Sequence, residues 1–193
     1  QGDKIMIIGL TGPTGAGKSS LRIFAEAEGS KVVDCDIIAR KATEKSTEGL
    51  KALVQVFGED ILNEDKTLNR AKLAQKAFAS VDSTKLLNKT IFPYITKLVE
   101  KEIIGDKVLL DAPTLFESGL DSLCDKTIAV LADRDIRLSR ILARDNIAKD
   151  AALLRINAGK MDEFYKQRAD YIIYNNSNEA EFVSSFSEII KSI

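Results

Sequence analysis

The stretch GPTGAGKS, residues 12–19, follows directly on the apolar run KIMIIGLT at residues 4–11. Its spacing fits the pattern G-x-x-x-x-G-K-[ST], in which glycines let backbone N–H groups turn towards phosphate oxygens. A strand before the loop and an amphipathic helix after it are the context this pattern requires. Residues 18–28 supply that helix, and Gly29 ends it. The sequence therefore predicts a phosphate-binding loop between a strand and a helix.

Each part of this loop has its own chemical task. The N-terminus of the following helix carries a partial positive charge, so it favours an anion beside it. The Lys18 ammonium can reach the β- and γ-phosphates of a nucleotide, and the Ser19 hydroxyl can ligate Mg²⁺. We therefore expect nucleotide phosphates on Gly12, Pro13, Thr14, Gly15, Ala16, Gly17, Lys18, Ser19 and Ser20.

Short apolar runs alternate with longer amphipathic runs along the chain. The apolar runs, which predict strands buried on both faces, are residues 4–11, 31–34, 107–112, 126–132 and 170–175. The amphipathic runs, which predict helices, are residues 18–28, 36–57, 69–79, 82–104, 134–144, 150–158 and 179–192. Strands separated by helices form parallel sheets with helices on both faces, so the sequence predicts an α/β fold with a parallel five-stranded sheet.

We expect a single domain over residues 4–193, whose core takes residues 4–57 and 106–193. The stretch from about 58 to 105 has helical patterns and no clear strand, which indicates a helical insertion in the core. Residues from about 145 to 165 lack a strong apolar face, and Gly159 interrupts them, which indicates a movable lid.

The composition is that of a folded domain without a strongly charged partner. Of the 193 residues, 45% are hydrophobic and 30% are charged, and the formal net charge is −1. We therefore expect neither nucleic acid nor a membrane as partner, since uncharged runs stay far below the roughly 18 residues of a membrane span. Cys35 and Cys124 form no disulfide framework or metal spacing, which favours a reduced, cytoplasmic setting. Because the chain has no histidine, proton transfer must rely mainly on carboxylates, lysines or tyrosines.

Two carboxylates, Asp34 and Asp36, stand at the end of the second predicted strand. Ligands of parallel α/β sheets bind at the carboxyl ends of the strands, and alternation points both side chains to one side. One carboxylate could hold Mg²⁺ through water, and the other could accept the proton of an attacking hydroxyl. Either one could instead cap the helix that starts near Ile37.

Four arginines, Arg134, Arg137, Arg140 and Arg144, follow in one predicted helix. The last three are spaced i, i+3 and i+7, so they share a face, where like charges repel by roughly tenths of a kcal/mol per pair. That cost makes sense if phosphate oxygens, which suit guanidinium forks, lie against them. A solvated face paired with nearby aspartates is the alternative. With a phosphate-binding loop in the same chain, we expect phosphate contact for Arg140 and Arg144.

The sequence offers little support for a guanine-nucleotide switch. DAPT at residues 111–114 lacks the glycine of D-x-x-G, and NKTI at 88–91 lacks the aspartate of N-K-x-D. A phosphotransferase for a nucleoside monophosphate or small metabolite and a nucleotide-binding module without turnover both remain open at this point.

The motifs resemble those of the dephospho-coenzyme A kinase family, in the family's order from residue 5 to 176. The segments that carry the resemblance are IGLTGPTGAGKS, VVDCDIIAR, LNRAKLA, VLLDAPTLFESGLD, RLSRILARD and RADYIIYNN. The resemblance implies a P-loop kinase fold with a helical acceptor-binding insertion and a lid. It also implies that ATP, with Mg²⁺, phosphorylates the ribose 3′-hydroxyl of dephospho-coenzyme A, giving coenzyme A and ADP in the last step of coenzyme A synthesis.

The resemblance also implies roles for particular residues. Asp36 is the base and acts with Lys18 and Arg140. The phosphate-binding loop, Arg140, Arg144 and Asn175 bind ATP, while Ser19 and Asp34 hold the metal. The acceptor lies on Thr11, Asp36, Arg40, Arg70, Asp111, Leu115, Phe116 and Glu117.

The chain departs from the family pattern at three positions. Phe92-Pro93 stands where His-Pro is common, which bears on one acceptor contact. Gly159 replaces a glutamine that is usual in the lid region, and the small Cys35 replaces an alanine.

Overall fold

The computed structural model describes residues 5–193, and the first residue of the expected domain, Lys4, lies outside the described residues. The strands are β1 (Met6–Thr11), β2 (Lys31–Asp34), β3 (Lys107–Asp111), β4 (Lys126–Leu131) and β5 (Tyr171–Tyr174). They form a parallel five-stranded sheet in the order β2-β3-β1-β4-β5. The predicted α/β class and five-stranded parallel sheet are therefore confirmed.

The helices of the described residues are α1 (Lys18–Ala27), α2 (Cys35–Ala42), α3 (Glu48–Phe57), α4 (Arg70–Ala77), α5 (Val81–Glu102), α6 (Leu115–Ser118), α7 (Arg134–Asp145), α8 (Lys149–Ala158), α9 (Asp162–Lys166) and α10 (Glu179–Ser192). Short 3-10 turns occupy Glu59–Ile61 and Leu120–Leu123. No helix within residues 5–193 is long and apolar enough to cross a membrane.

The strand that leads into the phosphate-binding loop is the central strand of the sheet. β1 pairs with β3, with Met6 opposite Lys107, and with β4, with Ile8 opposite Lys126. A central strand is fixed by hydrogen bonds on both edges, so the loop that follows Thr11 is anchored at a rigid point.

Alternating side chains of the sheet build two cores. On one face Ile128 and Val130 pack with α1 and with Phe182 and Phe186 of α10. On the other face Ala129 and Leu131 surround Tyr165 of α9.

The described chain divides into two compact units, one formed by residues up to Val33 with Ile104–Ile193 and the other by Asp34–Ile103. The first contains the sheet and the phosphate-binding loop. The second is helical, and its helices α2, α3 and α4 pack against α5. The buried residues of α5, Ile91, Ile95 and Val99, recur every four residues and so lie on one face of the helix. The helical unit thus includes α2 and α3, which lie within residues 4–57 and so differ from the prediction that this stretch belongs to the core.

The structure also corrects the helical stretch predicted over residues 36–57, since two helices with a turn between them occupy it. Ser46 has a φ of 70°, a left-handed conformation that a helix cannot continue through. The Thr47 hydroxyl then accepts a hydrogen bond from the N–H of Leu50 at 3.2 Å, which caps α3. The turn therefore follows from local backbone chemistry.

Candidate active site

The loop over residues 12–19 has a backbone that favours glycine at Gly12, Gly15 and Gly17. Gly17, immediately before α1, has a φ of 95°, and a Cβ atom there would collide with the Asn175 side chain. Gly15 has a φ of 79°, and a Cβ atom there would lie 2.8 Å from the Arg137 carbonyl oxygen. The glycines therefore let the loop adopt left-handed turns and lie close to α7 and to the end of β5.

The interior of the loop is held by its own polar groups. The Lys18 ammonium donates to the Gly12 carbonyl at 3.1 Å, across the width of the loop. The Ala16 N–H donates to the Pro13 carbonyl at 3.2 Å, and Ala16 is fully buried. This arrangement presents the Lys18 charge beside the start of α1, where the helix dipole adds to it.

A cavity of about 340 Å³ opens beside the loop. Its lining combines loop residues with residues from α7, the end of β5 and α10: Gly17, Ser19, Ser20, Arg140, Asn175, Ser177, Glu179 and Phe182. The volume lies at the lower end of the range typical of small-ligand sites.

Arg140 and Asn175 line this cavity and also form hydrogen bonds to the phosphate-binding loop. Arg140 Nη1 donates to the Ala16 carbonyl at 3.3 Å, and the Asn175 amide donates to the same carbonyl at 2.9 Å. Asn175 is buried, so its amide must satisfy these hydrogen bonds within the protein. The predicted cation and amide therefore lie together beside the phosphate-binding loop.

Arg144 is more exposed and has a partner of its own. Its Nε and Nη2 donate to the Asp145 carboxylate at 2.6 and 2.9 Å. Asp145 also accepts from Arg155 Nη1 of α8 at 2.6 Å. The hydrogen bond from Arg144 lowers the pKa of the Asp145 carboxyl, and the Arg155 charge lowers it further. The two bonds to Asp145 use one edge of the Arg144 guanidinium, which leaves Nη1 as its remaining nitrogen.

Asp34 and Asp36 have different local roles. Asp34 Oδ1 accepts hydrogen bonds from the N–H groups of Asp36 at 3.0 Å and Ile37 at 3.1 Å, so Asp34 is the cap of α2. The side chain of Asp36 is exposed on the first turn of α2. Arg40 lies one turn further along α2 and is also exposed.

Arg70 begins α4, in the same helical unit as Asp36 and Arg40. Its Nη2 donates to the Thr43 hydroxyl at 3.1 Å, which ties the start of α4 to the residue after α2. Arg70 is otherwise exposed to solvent. The helical unit thus carries two exposed cations, Arg40 and Arg70, and the exposed carboxylate of Asp36.

Three of the residues predicted to bind the acceptor, Thr11, Asp111 and Leu115, are buried. Asp111 accepts a hydrogen bond from Arg22 of α1 at 3.0 Å. Thr11 is fully buried and donates to the Pro113 carbonyl at 3.3 Å, while the Leu115 side chain lies wholly in the core.

Phe116 and Glu117 lie towards α9. The Phe116 ring packs edge-on against Phe164, with ring centroids 6.1 Å apart. Glu117 Oε2 is buried and has no hydrogen-bond partner among the described residues. A buried oxygen without a partner costs free energy, so Glu117 is a functional candidate on physical grounds.

Sequence reasoning missed several residues of this region. Ser177, Glu179 and Phe182 line the cavity from the start of α10, and Ser20 donates to Glu179 at 2.7 Å. The spacing places Arg137 on one face with Arg140 and Arg144, yet only 6% of Arg137 is accessible. Helical periodicity could place Arg137 on a face, but it could not reveal what covers that face.

The available ligands suit Mg²⁺ better than a softer metal. No group of three or more His, Cys, Asp or Glu side chains in residues 5–193 is arranged to hold a metal ion. The donors predicted from the sequence, the Ser19 hydroxyl and the Asp34 carboxylate, are both oxygens. Mg²⁺ typically takes one or two protein oxygens together with waters and substrate phosphates, so this donor set fits it.

Comparison with known proteins identifies the family. A sequence model of the family "Dephospho-CoA kinase" matches residues 6–181. The dephospho-CoA kinase of Listeria innocua is 41% identical over 177 residues, which cover 89% of this chain and 88% of the relative. A crystal structure of TT1252 from Thermus thermophilus has a TM-score of 0.83 at 25% identity and covers 99% of each chain. Dephospho-CoA kinase from Campylobacter jejuni has a TM-score of 0.64 at 26% identity, with 96% of this chain and 95% of that chain covered. The chain therefore belongs to the dephospho-CoA kinase family.

Proposed function

We propose that the protein transfers the γ-phosphoryl group of ATP to the ribose 3′-hydroxyl of dephospho-coenzyme A, giving coenzyme A and ADP. The observation that carries the proposal is the loop over residues 12–19, which borders a cavity lined by Gly17, Ser19 and Arg140. The Lys18 ammonium of the same loop is held at the Gly12 carbonyl. Membership of the dephospho-CoA kinase family supports dephospho-coenzyme A as the acceptor.

On the donor side, the protein's contribution is mainly electrostatic. Lys18 and the backbone N–H groups of the loop bind the β- and γ-phosphates, because both are positively polarised at the start of α1. Arg140 adds a guanidinium at the cavity wall, where its bonds to Ala16 and Asn175 fix its direction. Arg144 Nη1 is the candidate for a further phosphate contact. Such groups stabilise the charge on the phosphoryl oxygens as transfer proceeds.

Mg²⁺ bound by Ser19 and, through water, by Asp34 would neutralise charge on the phosphates. The cap bonds to Asp36 and Ile37 orient the Asp34 carboxylate, and both use its Oδ1.

On the acceptor side, we assign proton transfer to Asp36. It follows directly on the carboxyl end of β2, where ligands of parallel α/β sheets bind. The 3′-oxygen forms a bond to the γ-phosphorus, the bond from that phosphorus to the β–γ bridging oxygen breaks, and the 3′-hydroxyl proton passes to Asp36. Arg40 and Arg70 are the proposed cations for acceptor phosphates. Phe116 and Glu117 are the partly exposed residues proposed for the acceptor side, whereas Thr11, Asp111 and Leu115 are buried.

A lid over residues 145–165 would exclude water during transfer. In the structure this segment comprises the end of α7, α8 and the start of α9, with Gly159 as the C-cap of α8. Ala152 and Ile156 of α8 pack against Ile141 of α7. The ion pair between Asp145 and Arg155 is one polar contribution to this packing of α8 on α7.

An acceptor panel tests the proposal. The protein is incubated with ATP and Mg²⁺ and with dephospho-coenzyme A, AMP or no acceptor, and ADP is measured. ADP formed only with dephospho-coenzyme A supports the proposal, whereas ADP formed with AMP indicates a nucleoside monophosphate kinase. ADP absent in every case, from a protein that binds ATP, indicates a binding module. Lys18→Ala, with folding checked by circular dichroism, is the matched control and should lose about 100-fold or more of the activity.

A further inference from the structure

Arg137 is a buried cation directly beneath the phosphate-binding loop. It lies on α7 with 6% of its surface accessible, whereas the Arg144 side chain on the same helix is 61% accessible. Burial of the guanidinium lowers the pKa of Arg137, and the Asp162 carboxylate opposes that shift. Burying a charge costs free energy unless contacts compensate it, so its contacts indicate what it does.

The strongest of these contacts is to the loop. Arg137 Nε donates to the Thr14 carbonyl at 2.9 Å. The backbone of the same residue lies under the next loop position, since a Cβ atom on Gly15 would be 2.8 Å from the Arg137 carbonyl oxygen. One residue of α7 therefore holds the middle of the loop through both its side chain and its main chain.

The other side of the guanidinium is poorly compensated. Arg137 Nη1 lies 3.9 Å from Asp162 Oδ1 on α9, too far for a hydrogen bond, and Nη2 is buried without a hydrogen-bond partner among the described residues. A long ion pair with an orphaned donor is a poor source of stability. The bond to Thr14 is the one well-formed hydrogen bond of this side chain among residues 5–193.

The direction of the Thr14 carbonyl matters for the loop. In a trans peptide unit, the carbonyl of one residue and the N–H of the next point in opposite directions. A Thr14 carbonyl held towards Arg137 therefore turns the Gly15 N–H away from α7. A carbonyl oxygen free to rotate towards the phosphates would repel them, while an N–H group attracts them.

We propose that Arg137 is a positioning residue for ATP, which fixes the phosphate-binding loop by holding the Thr14 carbonyl through Nε. The inference rests on the proposed function, because it assumes that the loop binds the phosphates of ATP.

Three substitutions separate the hydrogen bond from the charge. In Arg137→Gln, the amide nitrogen is as many bonds from Cα as Nε is in arginine, so the donor can be kept while the charge is lost. Arg137→Met places a methyl group at that position and removes both. Arg137→Lys keeps the charge but places a methylene at the position of Nε. Arg134→Met, which removes an exposed arginine of α7 bonded to Asn157, is the matched control.

The readouts are the dissociation constant of ATP·Mg²⁺ by calorimetry, the KM for ATP, the KM for dephospho-coenzyme A and the melting temperature. We expect Arg137→Met and Arg137→Lys to weaken ATP binding by about tenfold or more, as expected for the loss of a charge-assisted hydrogen bond. Arg137→Gln should stay within roughly threefold of the parent on the same scale. The KM for dephospho-coenzyme A and the binding by Arg134→Met should not change.

The proposal is overturned if Arg137→Gln binds ATP as weakly as Arg137→Lys, if Arg137→Lys binds like the parent, or if both values of KM rise together. Should Arg137→Met fail to fold, the pair Arg137→Gln and Arg137→Lys decides the question alone. A parent protein that binds ATP but phosphorylates no acceptor overturns the proposed function and leaves this inference to be judged by the binding data.

Discussion

Arg140 Nη2 lies 3.1 Å from both the backbone carbonyl and the side-chain Oδ1 of Asn175, so a single nitrogen spans the main chain and side chain of one residue. Both residues also bond to the Ala16 carbonyl of the phosphate-binding loop. This triangle holds a cation at the cavity wall in one direction, which is what stabilisation of a transferring phosphoryl group requires.

The triangle allows stability and catalysis to be separated. Arg140→Ala and Asn175→Ala each break hydrogen bonds of the same network, and each should lower the free energy of unfolding by about 1–3 kcal/mol. Only Arg140→Ala removes the cation, so it should lower the single-turnover rate by about 100-fold, with a much smaller loss for Asn175→Ala. Urea unfolding and rapid-quench kinetics measure the two effects. Equal rate losses would mean that Arg140 acts only through the network.

The two aspartates at the start of α2 should respond differently to substitution. Asp36→Asn should keep ATP binding and slow single turnover on dephospho-coenzyme A by about 100-fold or more, the range of a positioned general base. Asp34→Asn keeps an oxygen that can cap α2, so it should alter the Mg²⁺ dependence of the rate while the stability is kept. Asp34→Ala also loses the cap and should cost about 1 kcal/mol of stability.

Single-turnover rates at saturating ATP and acceptor decide between the two residues. A rate for Asp36→Asn within about threefold of the parent, with an inactive Asp34→Asn, would move the base to Asp34. If the transition state is loose, the rate depends more on how the substrates are positioned than on proton removal by Asp36. The loss of rate in Asp36→Asn would then be smaller.

Tyr165 gives the protein a stability limit at alkaline pH. Burial raises the pKa of its phenol from 10.0 to about 12, and the nearby Glu117 carboxylate contributes to the shift. Because the folded pKa lies above the unfolded one, the native state binds more protons between these values, and stability falls as pH rises through them. The parent should therefore lose roughly 2–3 kcal/mol more than Tyr165→Phe between pH 9 and pH 12.

Urea unfolding at a series of pH values measures this difference, with Tyr94→Phe of α5 as the control for loss of a hydroxyl. Parallel curves for the parent and Tyr165→Phe would show that the phenol titrates normally in the folded protein.

Asp145 should show the opposite pH dependence. Its hydrogen bond from Arg144, with the Arg155 charge, lowers the pKa of the carboxyl below the ordinary aspartate value of 3.8. Its contribution to stability is therefore present at neutral pH and is lost as the pH falls below that value. Asp145→Asn should melt at a lower temperature than the parent at pH 7, and the gap should narrow towards pH 3.

Asp150→Asn is the control for this experiment, because Asp150 is an exposed aspartate of α8 without an ion pair among the described residues. A gap that stays constant from pH 7 to pH 3 would rule out the ion pair as its source.

The phosphate-binding loop and the elements on either side of it could be predicted from the sequence, because the pattern that identifies them lies within one short stretch of the chain. The strand, the glycine spacing and the helix of residues 4–28 are contiguous, and the predicted strand and helix are found at Met6–Thr11 and Lys18–Ala27. The cap of α2 was also within reach, since an aspartate before a helix often bonds to its first N–H groups, although the sequence could not say which of two aspartates did so.

What the sequence could not reveal depends on tertiary contact. Periodicity put Arg137, Arg140 and Arg144 on one face, yet the loop covers Arg137, Asn175 engages Arg140 and Asp145 pairs with Arg144. The five-residue helix α9 is too short for periodicity to detect, and it supplies Tyr165 to the core.

The position of β1 at the centre of the sheet has a consequence for the order of events during synthesis. Its register pairs Met6 with Lys107 and Ile8 with Lys126, so the strand that carries the phosphate-binding loop is made about a hundred residues before its partner strands. All of the chain from Asp34 to Ile103, which forms a compact helical unit, leaves the ribosome in between. Closing such distant contacts is slow, and an unpaired apolar strand is prone to aggregate. The whole helical unit is therefore synthesised before the nucleotide site can form, and that site needs the residues around Lys107 to Leu131 to have been made.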